Sequence, residues 1–138
     1  MGCCRPPALA SHGAEAAIIH DKHETLITHD DLQARVARLA GALKARGITK
    51  SGRVIIHMPM VPYALQAMLA FARLRAIHSV VVGGFAAAEL AVRIDDCAPK
   101  AIIATSRGIE PSRGIRYKPL LDAAVDLASR KPDFCVIL

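Results

Sequence analysis

Aromatic residues are scarce in this sequence, which has no tryptophan and only 4% aromatic residues among its 138. Proteins that bind single-stranded nucleic acid commonly stack bases on aromatic side chains. The formal net charge is +6, but the basic residues are spread along the chain without aromatic neighbours. These features argue against nucleic acid as a partner and predict a core packed from aliphatic side chains.

The sequence also lacks paired cysteines. Its four cysteines include no Cys-x-x-Cys pair and no spacing typical of zinc ligands, which favours reduced thiols in a cytoplasmic protein. Cys97 and Cys135 adjoin apolar runs, so we expect them to be small buried residues. No metal site is predicted, because His20 and His23 lie on a polar turn without further ligands nearby in the sequence.

Membrane signals are missing as well. The longest apolar region, residues 58–72, is shorter than the roughly 20 residues that span a bilayer, and the start of the chain does not have the pattern of a signal peptide. Cys3 and Cys4 allow a lipid-anchored alternative, but Pro6 stands where N-myristoylation prefers serine or threonine. We therefore expect no membrane association.

Short β-prone runs alternate with helical patterns along the chain. Residues 16–19 and 25–27 flank a polar turn and predict an initial β-hairpin. Thr28 and Asp31 then form an acidic capping box, and Gly47 is placed to end the helix that follows. Further strands are predicted at 53–57, 77–82, 101–104 and 134–138, helices at 61–74, 86–96 and from about Pro119 to Ser129, and a loop at 105–117.

This alternation predicts an α/β fold, with a partial doubly wound, mainly parallel sheet that carries helices on both faces and follows the short β-hairpin. The chain ends at its last predicted strand, without a helix to cover that part of the sheet. We therefore expect an incomplete domain.

Two turns after predicted strands are candidate binding sites, because open parallel sheets bind ligands beyond the carboxyl ends of their strands. Gly83 and Gly84 would let a ligand approach the backbone before a helix N-terminus, although an ordinary tight turn has the same residues. In the second turn, Arg113 offers a fork for a phosphate and Glu110 a carboxylate for an amine or hydroxyl. A surface loop without a ligand is the alternative there.

Catalytic groups cannot be placed from the residues alone. Asp95 and Asp96 are adjacent at a predicted helix end and point apart, so they do not predict a paired-carboxylate site. No Ser, His and Asp set is evident. The sequence contains neither Gly-x-Gly-x-x-Gly nor a P-loop motif.

Several longer motifs follow one another from about residue 9 to the end. They are VARLAGAL at 36–43, MPMVP at 58–62, AIHSVV at 76–81, GGFA at 83–86, ELAVRIDD at 89–96, GIEP at 108–111 and YKPLL at 117–121. In this order they resemble the acetyl-CoA and propionyl-CoA synthetases of the adenylate-forming, AMP-forming acyl-CoA synthetase superfamily. GIEP followed by YKP is more similar to the propionate-using branch.

The resemblance implies a two-step ligase reaction. A short-chain acid, propionate or acetate, reacts with ATP and Mg²⁺ to give an acyl-adenylate and pyrophosphate, and CoA then displaces AMP. The resemblance also implies CoA contacts, with the arginine near the CoA phosphates. The residues implied to bind CoA are Gly83, Gly84, Glu110, Pro111, Ser112 and Arg113.

The resemblance further implies that residues 9–138 are an incomplete N-terminal part of the large domain, after an unstructured segment at 1–8. The family's ATP phosphate loop, acyl pocket and C-terminal catalytic lysine have no counterpart in the sequence. We therefore expect no catalytic residue, no ATP site and no adenylation by this chain alone, unless a second chain supplies the remainder.

A standalone CoA- or nucleotide-binding α/β module without catalysis is the alternative hypothesis.

Three residues depart from the family pattern: Tyr63 replaces an acidic residue, Arg75 a glycine and Val82 an aromatic. At Arg75 we expect the charged side chain to disturb tight packing.

Overall fold

The computed structural model describes residues 15–20, 23–81, 86–110 and 113–138. The described elements are β1 (Glu15–His20), β2 (His23–Thr28), α1 (His29–Ala45), β3 (Arg53–His57), α2 (Pro62–Leu74), β4 (Ile77–Val81), α3 (Ala87–Cys97), β5 (Ala101–Ala104), β6 (Arg107–Glu110), β7 (Arg113–Arg116), α4 (Tyr117–Leu127) and β8 (Phe134–Ile137).

The main sheet has four strands in the order β4-β3-β5-β8, and all three neighbouring pairs are parallel. The chain first moves from β3 to β4, and α3 then carries it back past β3 to β5. The strand order therefore reverses between β3 and β5. The α/β class predicted from the alternating pattern is confirmed.

Helices cover both faces of this sheet. On one face, α1 and α2 pack against each other and bury Val54, Ile56 and Ile103. On the other face, α3 packs against α4 and buries Ile55 and Ile102. Consecutive strand residues thus point to opposite apolar layers, as the geometry of an extended strand requires.

The first helix follows its sequence signals closely. The Thr28 hydroxyl accepts a hydrogen bond from the backbone N–H of Asp31 at 3.2 Å. Acidic Asp30 and Asp31 lie in the first turn, Lys44 in the last, and Gly47 has a positive φ of 85° just beyond the end. The acidic and basic groups complement the helix dipole, so the helix predicted between Thr28 and Gly47 is confirmed.

The end of α2 corrects the expectation for Arg75. This residue is exposed, so its charge does not enter a tightly packed region. Its backbone is left-handed, with φ of 57°, and the N–H of the next residue, Ala76, bonds to the Phe71 carbonyl at 3.0 Å. The strain at Arg75 is therefore conformational, because a side chain disfavours this region while glycine adopts it freely.

Two small antiparallel sheets accompany the main sheet. β1 pairs with β2 from Glu15 opposite Thr28 to His20 opposite His23, and residues 21–22 between them lie outside the described part. The second small sheet, β6 with β7, occupies the segment 105–117, for which the sequence predicts a loop. That prediction is wrong, and we call the paired strands Arg107–Glu110 and Arg113–Arg116 the β6–β7 hairpin below.

The cysteine prediction holds only in part. Cys97 is partly buried beside the α3/α4 layer, but Cys135 is exposed. Its strand, β8, lies at the edge of the sheet, where Ile137 is also exposed. The predicted burial of Cys135 is wrong because β8 is an edge strand of the sheet. None of the helices in the described ranges combines the length and apolar character of a bilayer span.

Candidate functional site

The reversal of strand order creates a candidate site at the carboxyl ends of β3 and β5. His57 ends β3 and lies opposite Ala104, which ends β5. After β3 the chain leaves toward α2 on one face, and after β5 it enters the β6–β7 hairpin, which leads to α4 on the other face. In open α/β sheets, ligands bind where connections diverge in this way.

The β6–β7 hairpin has one buried side and one exposed side at its base. Gly108 and Ile115 face each other in the register and are buried. Arg107 and Arg116 form the neighbouring pair and are exposed. The Thr105 hydroxyl donates a hydrogen bond of 2.9 Å to the Arg107 carbonyl, which fixes the entry to the hairpin.

Gly108 allows the hairpin to lie close to the sheet. A Cβ atom at this position would lie 2.5 Å from Cε2 of Tyr117 and 2.7 Å from Cγ of Pro59. Both neighbours are rings with little freedom to move, and Tyr117 is completely buried. Glycine is therefore required because the backbone approaches too closely for any side chain.

The structure describes only part of the predicted CoA contacts. Glu110 and Arg113 form the outermost described pair of the β6–β7 hairpin. Gly83, Gly84, Pro111 and Ser112 lie outside the described residues. The backbones of Glu110 and Arg113 are thus brought opposite each other, in a hairpin that follows β5 at the carboxyl edge of the sheet.

Two like charges face each other at the base of this hairpin. Arg107 and Arg116 are cross-strand partners, and such pairs of equal charge destabilise a sheet when nothing neutralises them. Lys118, two residues after Arg116, is instead paired with Asp122, with 2.6 Å between Nζ and Oδ2. Arg107 and Arg116 are thus two exposed cations at the base of the hairpin.

His57 is a notable residue of the site that the sequence pattern does not reveal. Its side chain is completely buried, and neither Nδ1 nor Nε2 has a hydrogen-bond partner. Its ring lies 5.2 Å from that of Tyr117, centroid to centroid, with 58° between the planes. The signal in the sequence is one polar residue ending the apolar strand Val54–Ile56, which by itself indicates only a strand histidine.

Burial shapes the acid–base behaviour of this histidine. It lowers the pKa of His57 from its ordinary value, because a charged imidazolium is poorly solvated inside the protein. The Val81 backbone opposes this shift in part, although no hydrogen bond of normal geometry forms there. His57 is therefore neutral at pH 7. Within the described ranges, no group of three or more His, Cys, Asp or Glu residues is placed to hold a metal ion.

Comparison with known proteins gives a consistent set of relatives. A family model described as AMP-binding enzyme matches residues 7–133. An uncharacterized protein of Pseudomonas aeruginosa is 53% identical over 124 residues, which are 87% of this chain and 20% of that protein. Rat mitochondrial acyl-CoA synthetase short-chain family member 3 (Rattus norvegicus) is 44% identical over 129 residues, 91% of this chain and 19% of the relative.

A bacterial relative extends the set. Acetyl-coenzyme A synthetase of Rhizobium meliloti is 42% identical over 132 residues, which are 93% of this chain and 20% of that protein. The chain thus spans about a fifth of the length of these curated relatives.

Proposed function

Because this chain belongs to the AMP-binding enzyme family, we propose that residues 9–138 are an incomplete N-terminal part of the large domain of a short-chain acyl-CoA synthetase. The complete enzyme would convert propionate or acetate, ATP and CoA into acyl-CoA, AMP and pyrophosphate. The names of the rat and Rhizobium relatives support a short-chain acid. The GIEP and YKP motifs favour propionate over acetate.

We propose that this part contributes to the CoA site. The observation that carries the proposal is the position of the β6–β7 hairpin, which follows β5 at the carboxyl edge of the sheet where the strand order reverses. Its exposed Arg107 and Arg116 add positive charge for the phosphates of a nucleotide. The residues proposed to contact CoA are Gly83, Gly84, Glu110, Pro111, Ser112 and Arg113.

We propose that the chain has no adenylation activity by itself. Transfer at a phosphate requires Mg²⁺ and several cationic donors arranged around the developing charge. The Ser-, Thr- and Gly-rich phosphate loop and the catalytic lysine of the family have no counterpart in residues 1–138. ATP, Mg²⁺ and the acid would bind to segments outside these residues, in a longer polypeptide or in a second chain.

We propose a cytoplasmic location on the basis of the unpaired cysteines Cys97 and Cys135. One relative is named as a mitochondrial protein, so the mitochondrion is the alternative location. Imaging of the tagged chain in its own cells tests this, and a mitochondrial signal would contradict it.

The CoA site can be tested with the purified chain. Titration with CoA by calorimetry should give saturable binding, and the R113A variant should bind roughly 10- to 100-fold more weakly because it loses a charge-assisted contact of about 1.5–3 kcal/mol. R73A is the matched control, because Arg73 is exposed on α2, away from the hairpin. Dephospho-CoA shows whether the 3′-phosphate is recognised.

Three results would overturn parts of the proposal. If millimolar CoA neither binds nor raises the melting temperature of the chain, the residues do not form part of a CoA site. If the chain exchanges pyrophosphate into ATP with propionate present, the assignment of ATP binding to other segments is wrong. Equal affinities of R113A and R73A would remove Arg113 from the site.

A further inference from the structure

The buried imidazole of His57 has no evident role in the proposed function. Burying a polar group without hydrogen bonds costs on the order of 1–3 kcal/mol in proteins. A phenylalanine would fill similar space without that cost. His57 is completely buried and both of its nitrogens lack partners, which points to a use for a group that can gain a proton.

The surroundings of His57 are apolar on the sheet and aromatic above it. Val81 and Ala104 are its neighbours on the two flanking strands. Residue alternation places His57 on the same face as Ile55, which belongs to the α3/α4 layer. On that face the ring of Tyr117, the first residue of α4, lies against the imidazole.

Charged groups around this face are turned to solvent. Glu89 uses its carboxylate to accept a hydrogen bond from the Ala86 N–H, and Lys118 is paired with Asp122. The second strand histidine, His78, lies on the opposite face and stacks with Phe71. Among the side chains that the structure describes on α3, the β6–β7 hairpin and the start of α4, the exposed charged ones are Glu89, Arg93, Asp96, Arg107, Arg116, Lys118 and Asp122. None is a buried partner for an imidazolium.

A chain of contacts links His57 to the hairpin. His57 lies against Tyr117, and Tyr117 lies with Pro59 against the backbone of Gly108. Tyr117 also follows directly after β7. Any movement of the Tyr117 ring therefore disturbs both strands of the hairpin, at Gly108 on β6 and at the end of β7.

We propose that His57 is a positioning residue that, when neutral, seats the Tyr117 ring and so docks the β6–β7 hairpin on the sheet, and that releases the hairpin when protonated. The consequence for CoA rests on the proposed function: acidification would weaken CoA binding through the hairpin. The docking itself is independent of CoA.

The direction of the pH effect follows from proton linkage. Burial lowers the pKa of folded His57, so the undocked or unfolded form binds a proton more readily. The stabilisation is fully present above the ordinary histidine pKa of about 6.5. It is lost progressively as the pH falls from there toward the lower pKa of the docked form.

Hydrogen exchange of the 138-residue chain tests the docking. Exchange rates are compared at about pH 7.5 and about pH 5.5, after correction for intrinsic exchange. At the lower pH we expect the amides of β6 and β7 to be protected roughly 10-fold less, while the protection of the β3 and β5 amides stays the same. The H57F variant keeps a ring but cannot titrate, so its hairpin should keep its protection. H78F is the matched control and should behave like the natural chain.

Three outcomes would overturn the proposal: equal loss of hairpin protection in H57F, loss in the sheet and hairpin together, or no loss in the natural chain. An NMR titration of the His57 ring keeps the test decisive if H57F does not fold. Its midpoint must coincide with that of the hairpin amides, and two separate midpoints would contradict the link.

The CoA step has its own readout. The ratio of CoA affinities at the two pH values should be several-fold larger for the natural chain than for H57F. This comparison cancels the titration of the ligand's own phosphate, whose second pKa is about 6. A pH-dependent hairpin in a chain that never binds CoA would uphold the role of His57 and overturn the proposed function.

Discussion

The middle of the sheet and its carboxyl edge are built by different rules. In the middle, Ile55, Ile56 and Ile102 are fully buried between helices, and sequence, strand pattern and packing agree. At the edge, the strand β3 ends in an imidazole without hydrogen bonds, and two arginines face each other in the β6–β7 hairpin. Departures from local consistency concentrate at functional sites, so the contrast supports a ligand-binding role for the edge.

The largest expected effect breaks the middle of the sheet. Ile102→Ala removes three buried carbons between α3, α4 and the strands and should lower the free energy of unfolding by about 3–4 kcal/mol. Urea denaturation measures this. Val92→Ala is the control, because Val92 is 68% exposed and should change stability by less than about 0.5 kcal/mol. Similar losses in both variants would show that the isoleucine layer is not the core.

A smaller loss is expected at the edge from Gly108→Ala. The new methyl group would meet the rings of Tyr117 and Pro59, and overpacking of this kind costs about 1–3 kcal/mol. Hydrogen exchange should locate the damage in the β6–β7 hairpin. Gly114→Ala is the matched change in the same hairpin, where a Cβ meets nothing within 4 Å. If Gly114→Ala is equally damaging, the close approach at Gly108 is not the cause.

One substitution should stabilise the protein. Arg75→Gly removes the side chain from a left-handed position, which should raise the free energy of unfolding by about 1 kcal/mol. Arg73→Gly, inside the last turn of α2, should lower it by about the same amount because glycine weakens a helix. Thermal unfolding of the pair measures both signs. A loss at Arg75 would indicate a packing role for its side chain.

The smallest expected effect tests whether the two facing arginines at the carboxyl edge of the sheet repel each other. Arg116→Gln removes one of two facing charges and should stabilise the hairpin by a few tenths of a kcal/mol, within the roughly 0.2–1 kcal/mol range of cross-strand pairs. Arg35→Gln on the exposed side of α1 is the control. Salt should reduce the gain, since screening weakens exposed charges. A gain that is unchanged in high salt would argue against charge repulsion.

The predictable parts of the fold are those with local causes. Thr28, Asp31 and Gly47 mark α1 because caps and helix ends depend on neighbouring residues. The strands at 53–57 and 101–104 follow from short β-branched and apolar runs. The order of the sheet agrees with the rules for βα connections.

The β6–β7 hairpin and its neighbours have causes far away in the sequence. Its strands contain Gly108 and Gly114, which weaken a strand pattern, and its position depends on contacts with Pro59 and Tyr117. The lack of partners at His57 depends on which side chains flank it in the sheet. Such contacts are not visible in a one-dimensional pattern.

Two other predictions are wrong because neither a family pattern nor the neighbouring residues determine which side chains are buried. The family pattern predicts tight packing at Arg75, but the position selects a backbone conformation and leaves the side chain in solvent. The apolar neighbours of Cys135 predict burial, but β8 is an edge strand. The proposed CoA contacts at Gly83, Gly84 and Glu110–Arg113 stay predictions for the titration.

The last described residue is tied to the entrance of the hairpin. The Leu138 N–H bonds to the Ala104 carbonyl at 2.9 Å, and the Leu138 carbonyl accepts from the Ser106 N–H at 3.1 Å. These two hydrogen bonds couple the backbone of Leu138 mechanically to the backbone just before Arg107, so a displacement of one segment is transmitted to the other. A spectroscopic label near Leu138 would therefore report the movement of the hairpin without touching it.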